Sequence, residues 1–164
     1  MSDVVKVVNK EYNDPQALAN VISYILTDKT NKPDFCYYIG GMNVNPYFAF
    51  QEMMYTKKFF RKTEGRYARH FIVSPDKNLV FMGGELYALA FQISAYYSQR
   101  YQIIFSVHED TDHWHIHFVM NTVSFVDGKM FSEGLYELMQ FKEYVESLIR
   151  NYENRFNRQM LGLN

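Results

Sequence analysis

The sequence predicts an α+β fold: a central antiparallel β-sheet with helices packed on it. Three observations carry the prediction. Segments with strand and helix periodicity alternate irregularly, without the regular βαβ repeat of a doubly wound parallel sheet. Two strand-like segments, residues 102–108 and 114–123, lie close enough in sequence to pair as a hairpin. The 164 residues, 48% hydrophobic and 21% charged, suit one domain with a substantial core and exclude wholesale disorder.

Each element has its own signal. Val4, Val5, Val7 and Val8 around Lys6 read as a β-branched first strand. Asp14-Pro15 pairs a capping side chain with proline at the first helical position. Leu18, Val21, Ile22 and Ile25 then recur at helical spacing, so a helix is predicted over 15–28. Residues 35–39 suggest a short strand closed by Gly40-Gly41, and 46–62 a second helix. Residues 71–74 form a strand stopped by Pro75. Gly83-Gly84 opens a third helix over 85–99. Asp127-Gly128 predicts a tight hairpin turn. The last helix spans 135–156, with Leu138, Val145, Leu148, Ile149, Tyr152 and Phe156 on its buried side.

Composition narrows the function classes. No stretch approaches 18 consecutive apolar residues, so no membrane segment is expected. The N-terminus has no signal-peptide pattern, and the single Cys36 fits a reducing compartment, which together predict a cytoplasmic protein. Cys36 itself reads as a buried structural thiol. The net charge is −1, but residues 53–70 carry +5 and the rest −6. Lys57, Lys58, Arg61, Lys62, Arg66 and Arg69 make that run either a solvated helix face or a local phosphate-binding patch.

The densest chemistry lies between His108 and His117, where four of the five histidines fall within ten residues. A strand has period two, so His115, His117, Val119 and Asn121 share one face. Trp114, Ile116, Phe118 and Met120 share the other, which is apolar and must meet the core. Pairing of 102–108 with 114–122 brings His108 beside His115 and His117. Three neutral imidazoles converging on one point make a divalent-metal site with open positions. Asp110 and Asp112 either orient those imidazoles or serve as hairpin-loop residues. His113 has the same parity and stays open as a ligand. Tyr24 lies about 120° around its helix from the centre of the apolar stripe, at the edge of the core with its hydroxyl available.

Tyr24-Ile25-Leu26-Thr27-Asp28, then His70-Phe71-Ile72-Val73-Ser74, then the run from His108 through His115 and His117 to Asn121, resemble the three ordered motifs of MobA/VirD-type plasmid mobilisation relaxases. These belong to the HUH endonucleases. The resemblance covers about residues 15–125. It implies an antiparallel sheet with the histidines on one face and helices on the other. It implies one relaxase catalytic domain over 1–164, as such or as the N-terminal part of a longer protein. It also implies site- and strand-specific nicking and rejoining of DNA at a transfer origin through a 5′-phosphotyrosine. On that reading Tyr24 is the nucleophile, and His108, His115 and His117 hold a divalent cation, Mg or Mn. Ser74 contacts DNA near the cleavage point, and the role of His70 is open.

The implied partners are single-stranded or locally melted origin DNA, accessory relaxosome proteins and a coupling protein. Two other readings compete. A rolling-circle replication initiator or single-strand transposase of the same superfamily carries its tyrosine on a helix after the histidine strand, where Tyr136, Tyr144 and Tyr152 lie. Of these, Tyr144 is the best alternative nucleophile. A non-catalytic, metal-stabilised DNA-binding module is the third reading.

Overall fold

The computed structural model describes residues 4–27, 38–76, 83–109 and 114–162. Five strands form one sheet: β1 (Val5–Val7), β2 (Ile39–Met42), β3 (Ala68–Val73), β4 (Ile103–His108) and β5 (His115–Asn121). Their order is β1-β3-β5-β4-β2, and every neighbouring pair is antiparallel. Four helices pack on it: α1 (Pro15–Leu26), α2 (Ala49–Phe59), α3 (Gly83–Ser94) and α4 (Leu135–Met160). The α+β expectation therefore holds. α1 starts where the sequence puts it: the Asp14 carboxylate accepts the Ala17 N–H at 2.7 Å, with Pro15 just inside. Asp127 and Gly128 do turn the chain. Gly128 takes φ +73°, and Ser124 N–H donates to Lys129 O at 3.0 Å.

Strand alternation divides the sheet into two faces. Ile103, Phe105 and Val107 of β4 join Ile116, Phe118 and Met120 of β5 and Phe71 and Val73 of β3 on one face. There they meet α3 through Leu86, Leu89 and Ile93, and α4 through Phe141, Val145 and Ile149. The opposite face carries the histidines, and it is not bare. Leu18, Val21, Ile22 and Ile25 of α1 and Met53 and Met54 of α2 pack there on Ala68, Ile104 and Val119. This corrects the simple picture of histidines on one face and helices on the other. Ile104 and Val119 make the middle of the histidine face apolar, so it needs cover as well.

Other boundaries shift for local reasons. The second predicted helix is broken into a 3₁₀ turn (Pro46–Phe48), capped by the Asn45 side chain accepting Tyr47 N–H at 3.0 Å, and α2, because Phe48 leaves helical backbone at φ −118°, ψ 20°. α4 buries Phe141 rather than Phe156, which is exposed because the helix runs on past the sheet. Residues 35–37 of the predicted second strand, with Cys36, lie outside the described residues.

Candidate active site

The β4–β5 hairpin sets His108 directly opposite His115. The three histidines are buried, and their ring centroids lie 4.5–5.6 Å apart. One nitrogen from each falls within 4.8 Å of the others. Nitrogens bound at about 2.1 Å to a common ion lie at most about 4.2 Å apart. Shifts of less than an ångström would close the set, so the donors fit a divalent cation.

The hydrogen bonds decide which nitrogens face that point. His108 Nε2 lies 2.8 Å from the Ile25 carbonyl and 2.8 Å from Ser106 Oγ. A carbonyl only accepts, so Nε2 bears the proton and Nδ1 keeps its lone pair. The Ser106 hydroxyl also donates to Ile25 O. The C-terminal end of α1 is thus fastened, one residue beyond Tyr24, to a histidine of the cluster that could hold a metal.

His117 is held from the other side. Its Nδ1 lies 3.0 Å from His70 Nε2, and His70 Nδ1 lies 3.1 Å from the Tyr12 hydroxyl. A neutral His117 that binds metal through Nε2 must donate from Nδ1 to His70, which must then donate to Tyr12. Burial, with smaller contributions from Lys10 and His108, pushes His70 down to about 4, so it is neutral at pH 7. Burial likewise raises the Tyr12 phenol, with the nearby Tyr24 adding to the rise and Arg66 opposing it.

Tyr24 is half-exposed. Its ring stands edge-on to His117 with centroids 5.7 Å apart, and to His70 at 6.1 Å. The tyrosines of α4 belong elsewhere. Tyr144 packs on the opposite face of the sheet and donates its hydroxyl to Gln92 O at 2.5 Å. Tyr152 packs on that same far core, and Tyr136 is exposed. None of the three shares the histidine face.

The basic run divides. Lys58, Arg61, Lys62 and Arg66 are exposed. Lys57 and Arg69 are not part of an exposed patch, because the fold uses them internally. Lys57 is fully buried, donates to Asn121 Oδ1 at 2.6 Å and to Thr122 Oγ1 at 3.3 Å, and lies 4.8 Å from the centre of the Tyr67 ring. Arg69 pairs with Glu133 and covers Phe131 on the far face. Asn121 is equally committed: its amide donates to Gln102 Oε1 at 2.9 Å and to Met53 O at 3.3 Å. Ser74 is half-buried just past β3, and strand alternation puts it on the face of His70 and Ile72. Its N–H donates to Val4 O at 2.9 Å.

Asp110, Asp112 and His113 lie outside the described residues. Sequence reasoning missed Ser106 and Tyr12. Ser106 had a signal, since it shares the strand face of His108. Tyr12, in the irregular segment between β1 and α1, had none.

Comparison with curated protein sequences gives no match. The family model of relaxases, described as MobA/VirD2-like, nuclease domain, matches residues 24–153. The match begins at Tyr24 and takes in His70, the histidine hairpin and most of α4. The β4–β5 hairpin within that match carries three histidines that could hold a metal, and since the match covers well over half of the chain, the chain belongs to the MobA/VirD2-like relaxases, whose nuclease domain nicks DNA in mobilisation.

Proposed function

We propose that the chain nicks and rejoins one DNA strand at a transfer origin, through a covalent bond between Tyr24 and the 5′-phosphate, and so initiates conjugative transfer or mobilisation. The observation that supports this best is the Tyr24 ring standing 5.7 Å from that of His117, beside three histidines whose donor atoms converge. A divalent cation held by His108, His115 and His117 would polarise the scissile phosphate and offset its charge. We assign Mg or Mn as that cation.

The chain's own residues supply the rest. Ile25 O and Ser106 fix the ring of His108, and the Tyr12–His70 pair fixes that of His117. α1 carries the Tyr24 ring to within 5.7 Å of the His117 ring, which supports a nucleophile held beside the ligands. The phenol oxygen attacks phosphorus in line, at about 3–3.5 Å before reaction. The bond to the 3′-oxygen breaks as the Tyr24 O–P bond forms. The phenol gives up its proton and the departing 3′-oxygen gains one. Attack by a 3′-hydroxyl on the phosphotyrosine reverses the step and rejoins the strand. Ser74 contacts DNA near the cleavage point. We assign single-stranded or locally melted origin DNA as the substrate, the cytoplasm as the location, and accessory relaxosome proteins and a coupling protein as partners.

The test is adduct formation. Incubation with an origin-bearing single strand and Mn²⁺ should give a protein–DNA species that survives denaturation, linked at Tyr24 and absent in Tyr24→Phe. A link at Tyr144 would support a replication initiator or transposase instead. No adduct with a confirmed substrate would leave a metal-stabilised DNA-binding module.

A further inference from the structure

The inner side of α2 is buried through Met53, Met54, Thr56 and Lys57, but its outer side is unusually aromatic. Tyr47 is 74% exposed, Phe48 58%, Tyr55 69% and Phe59 66%. Four large rings in thirteen residues of surface mark a binding face. Tyr55 and Phe59, one turn apart, lie nearly parallel, at 27° with centroids 6.3 Å apart. Beside Tyr55 an open cleft of about 390 Å³ is lined by Gln51, Glu52, Thr56 and Gln102; the Glu52 carboxylate there accepts from Asn45 N–H at 2.7 Å, and Thr56 donates to Gln102 at 3.0 Å.

Cations cluster at the C-terminal end of α2: Lys58 in its last turn and Arg61 and Lys62 just past it are exposed, and Glu52 in the first turn is the helix's one acid. Arg61 is held in a left-handed conformation, φ +56°. It follows the helix C-cap, with Arg61 N–H donating to Lys58 O at 3.1 Å and Lys62 N–H to Lys57 O at 2.8 Å. That pair of bonds defines a helix terminus at which glycine is the unstrained residue. An arginine kept there at a conformational cost points to a use for its side chain.

We propose that the outer face of α2 is a single-stranded DNA track: Tyr55 and Phe59, flanked by Tyr47 and Phe48, stack bases, while Lys58, Arg61 and Lys62 hold the backbone. Rings with a π-face for any base, alternating with cations for phosphate, are what single-strand binding requires, and duplex DNA offers no unstacked bases to such rings. The track deepens the proposed nicking function and rests on it for the identity of the strand. α2 reaches the sheet at Asn121, four residues and about 13 Å along β5 from His117. The strand lying on the track is therefore several nucleotides from the scissile phosphate.

The probe is a fluorescein-labelled oligothymidylate about 12 nucleotides long. Binding is followed by anisotropy over a salt series. Tyr55→Ala and Phe59→Ala should each weaken binding roughly 5- to 100-fold and leave the salt slope unchanged. Tyr55→Phe should retain it. Arg61→Gly should raise Tm by roughly 2–4 °C through relief of the strained backbone, yet flatten the salt slope by about 0.7 unit. Affinity within twofold of wild type in both aromatic variants overturns the track and gives the face to a protein partner. Equal losses on duplex overturn it too. The Tyr24 adduct is scored separately: an adduct with unaffected aromatic variants sinks only the track, and weakened aromatic variants without an adduct sink only the nicking reaction.

Discussion

Two buried polar clusters sit on the same sheet face, at opposite ends of β5. At one end Lys57, Asn121, Thr122, Thr56 and Gln102 bond to one another and to the backbone of Met53. At the other, Ile25 O and Ser106 bond to Nε2 of His108, and His70, itself bonded to Tyr12, bonds to Nδ1 of His117, while one nitrogen from each of His108, His115 and His117 lies within 4.8 Å of the others. Both clusters join a helix to the sheet. Of the two, only the second brings a possible metal-donor atom from each of three rings within 4.8 Å of the others. Buried polarity alone therefore does not mark a site; what marks it is donor atoms from several rings brought together.

The largest effect should come from emptying the second cluster. His115→Ala, or the same change at His108 or His117, should abolish nicking. It should weaken Mn²⁺ binding in calorimetry by more than the 10- to 100-fold that loss of an outer partner costs. Saturation with metal at about 100 times Kd adds about 2.7 kcal/mol to stability. Chelation should therefore lower Tm by roughly 5–10 °C in wild type and not in the alanine variants. An unchanged wild-type Tm on chelation would break the contrast between the clusters.

The first cluster should respond to pH instead. Burial holds the Lys57 ammonium down to about 7 from an ordinary 10.5. Between those values the unfolded chain binds more protons than the folded one, so this lysine makes stability rise with pH. A neutral amine still has two donors for Asn121 and Thr122, so the bonds persist. Lys57→Met removes the ionisable group. The stability difference between wild type and Lys57→Met, from urea unfolding at pH 7 and pH 9, should shift toward wild type by about 1–3 kcal/mol as pH rises. Taking the difference cancels the tyrosines. A shift in the other direction would mean that Lys57 is stabilised as a cation.

The sequence made one cluster legible and hid the other. Period-two alternation and a hairpin were enough to converge His108, His115 and His117, because strand geometry fixes which side chains share a face. Helical periodicity was likewise enough to place Tyr24 at the edge of the apolar stripe of α1. Lys57 and Arg69 were indistinguishable from their exposed neighbours, since a charge run carries no sign of which members find partners such as Asn121 or Glu133 far along the chain. Phe141 and Phe156 both fit the α4 stripe, and only the extent of the sheet decides between them. His70 met His117 through the β3–β5 register, which no local signal supplies.

The smallest effects should grade the support behind His117. His70→Ala removes the acceptor of its outer N–H and should weaken Mn²⁺ binding about 10- to 100-fold without removing a ligand. Tyr12→Phe acts one bond further out. It deletes the hydroxyl 3.1 Å from His70 Nδ1 while keeping the buried ring, so packing is preserved. His70 then has a buried N–H with no acceptor at that distance. A neutral hydrogen bond of this kind contributes about 0.5–1.5 kcal/mol, and only the part transmitted through His70 reaches the metal. Tyr12→Phe should therefore weaken Mn²⁺ by roughly two- to tenfold. In a His70→Ala background the same change should do nothing further, because the link to His117 is already gone. Additive losses in the double variant would show that Tyr12 supports the site by packing and not through His70.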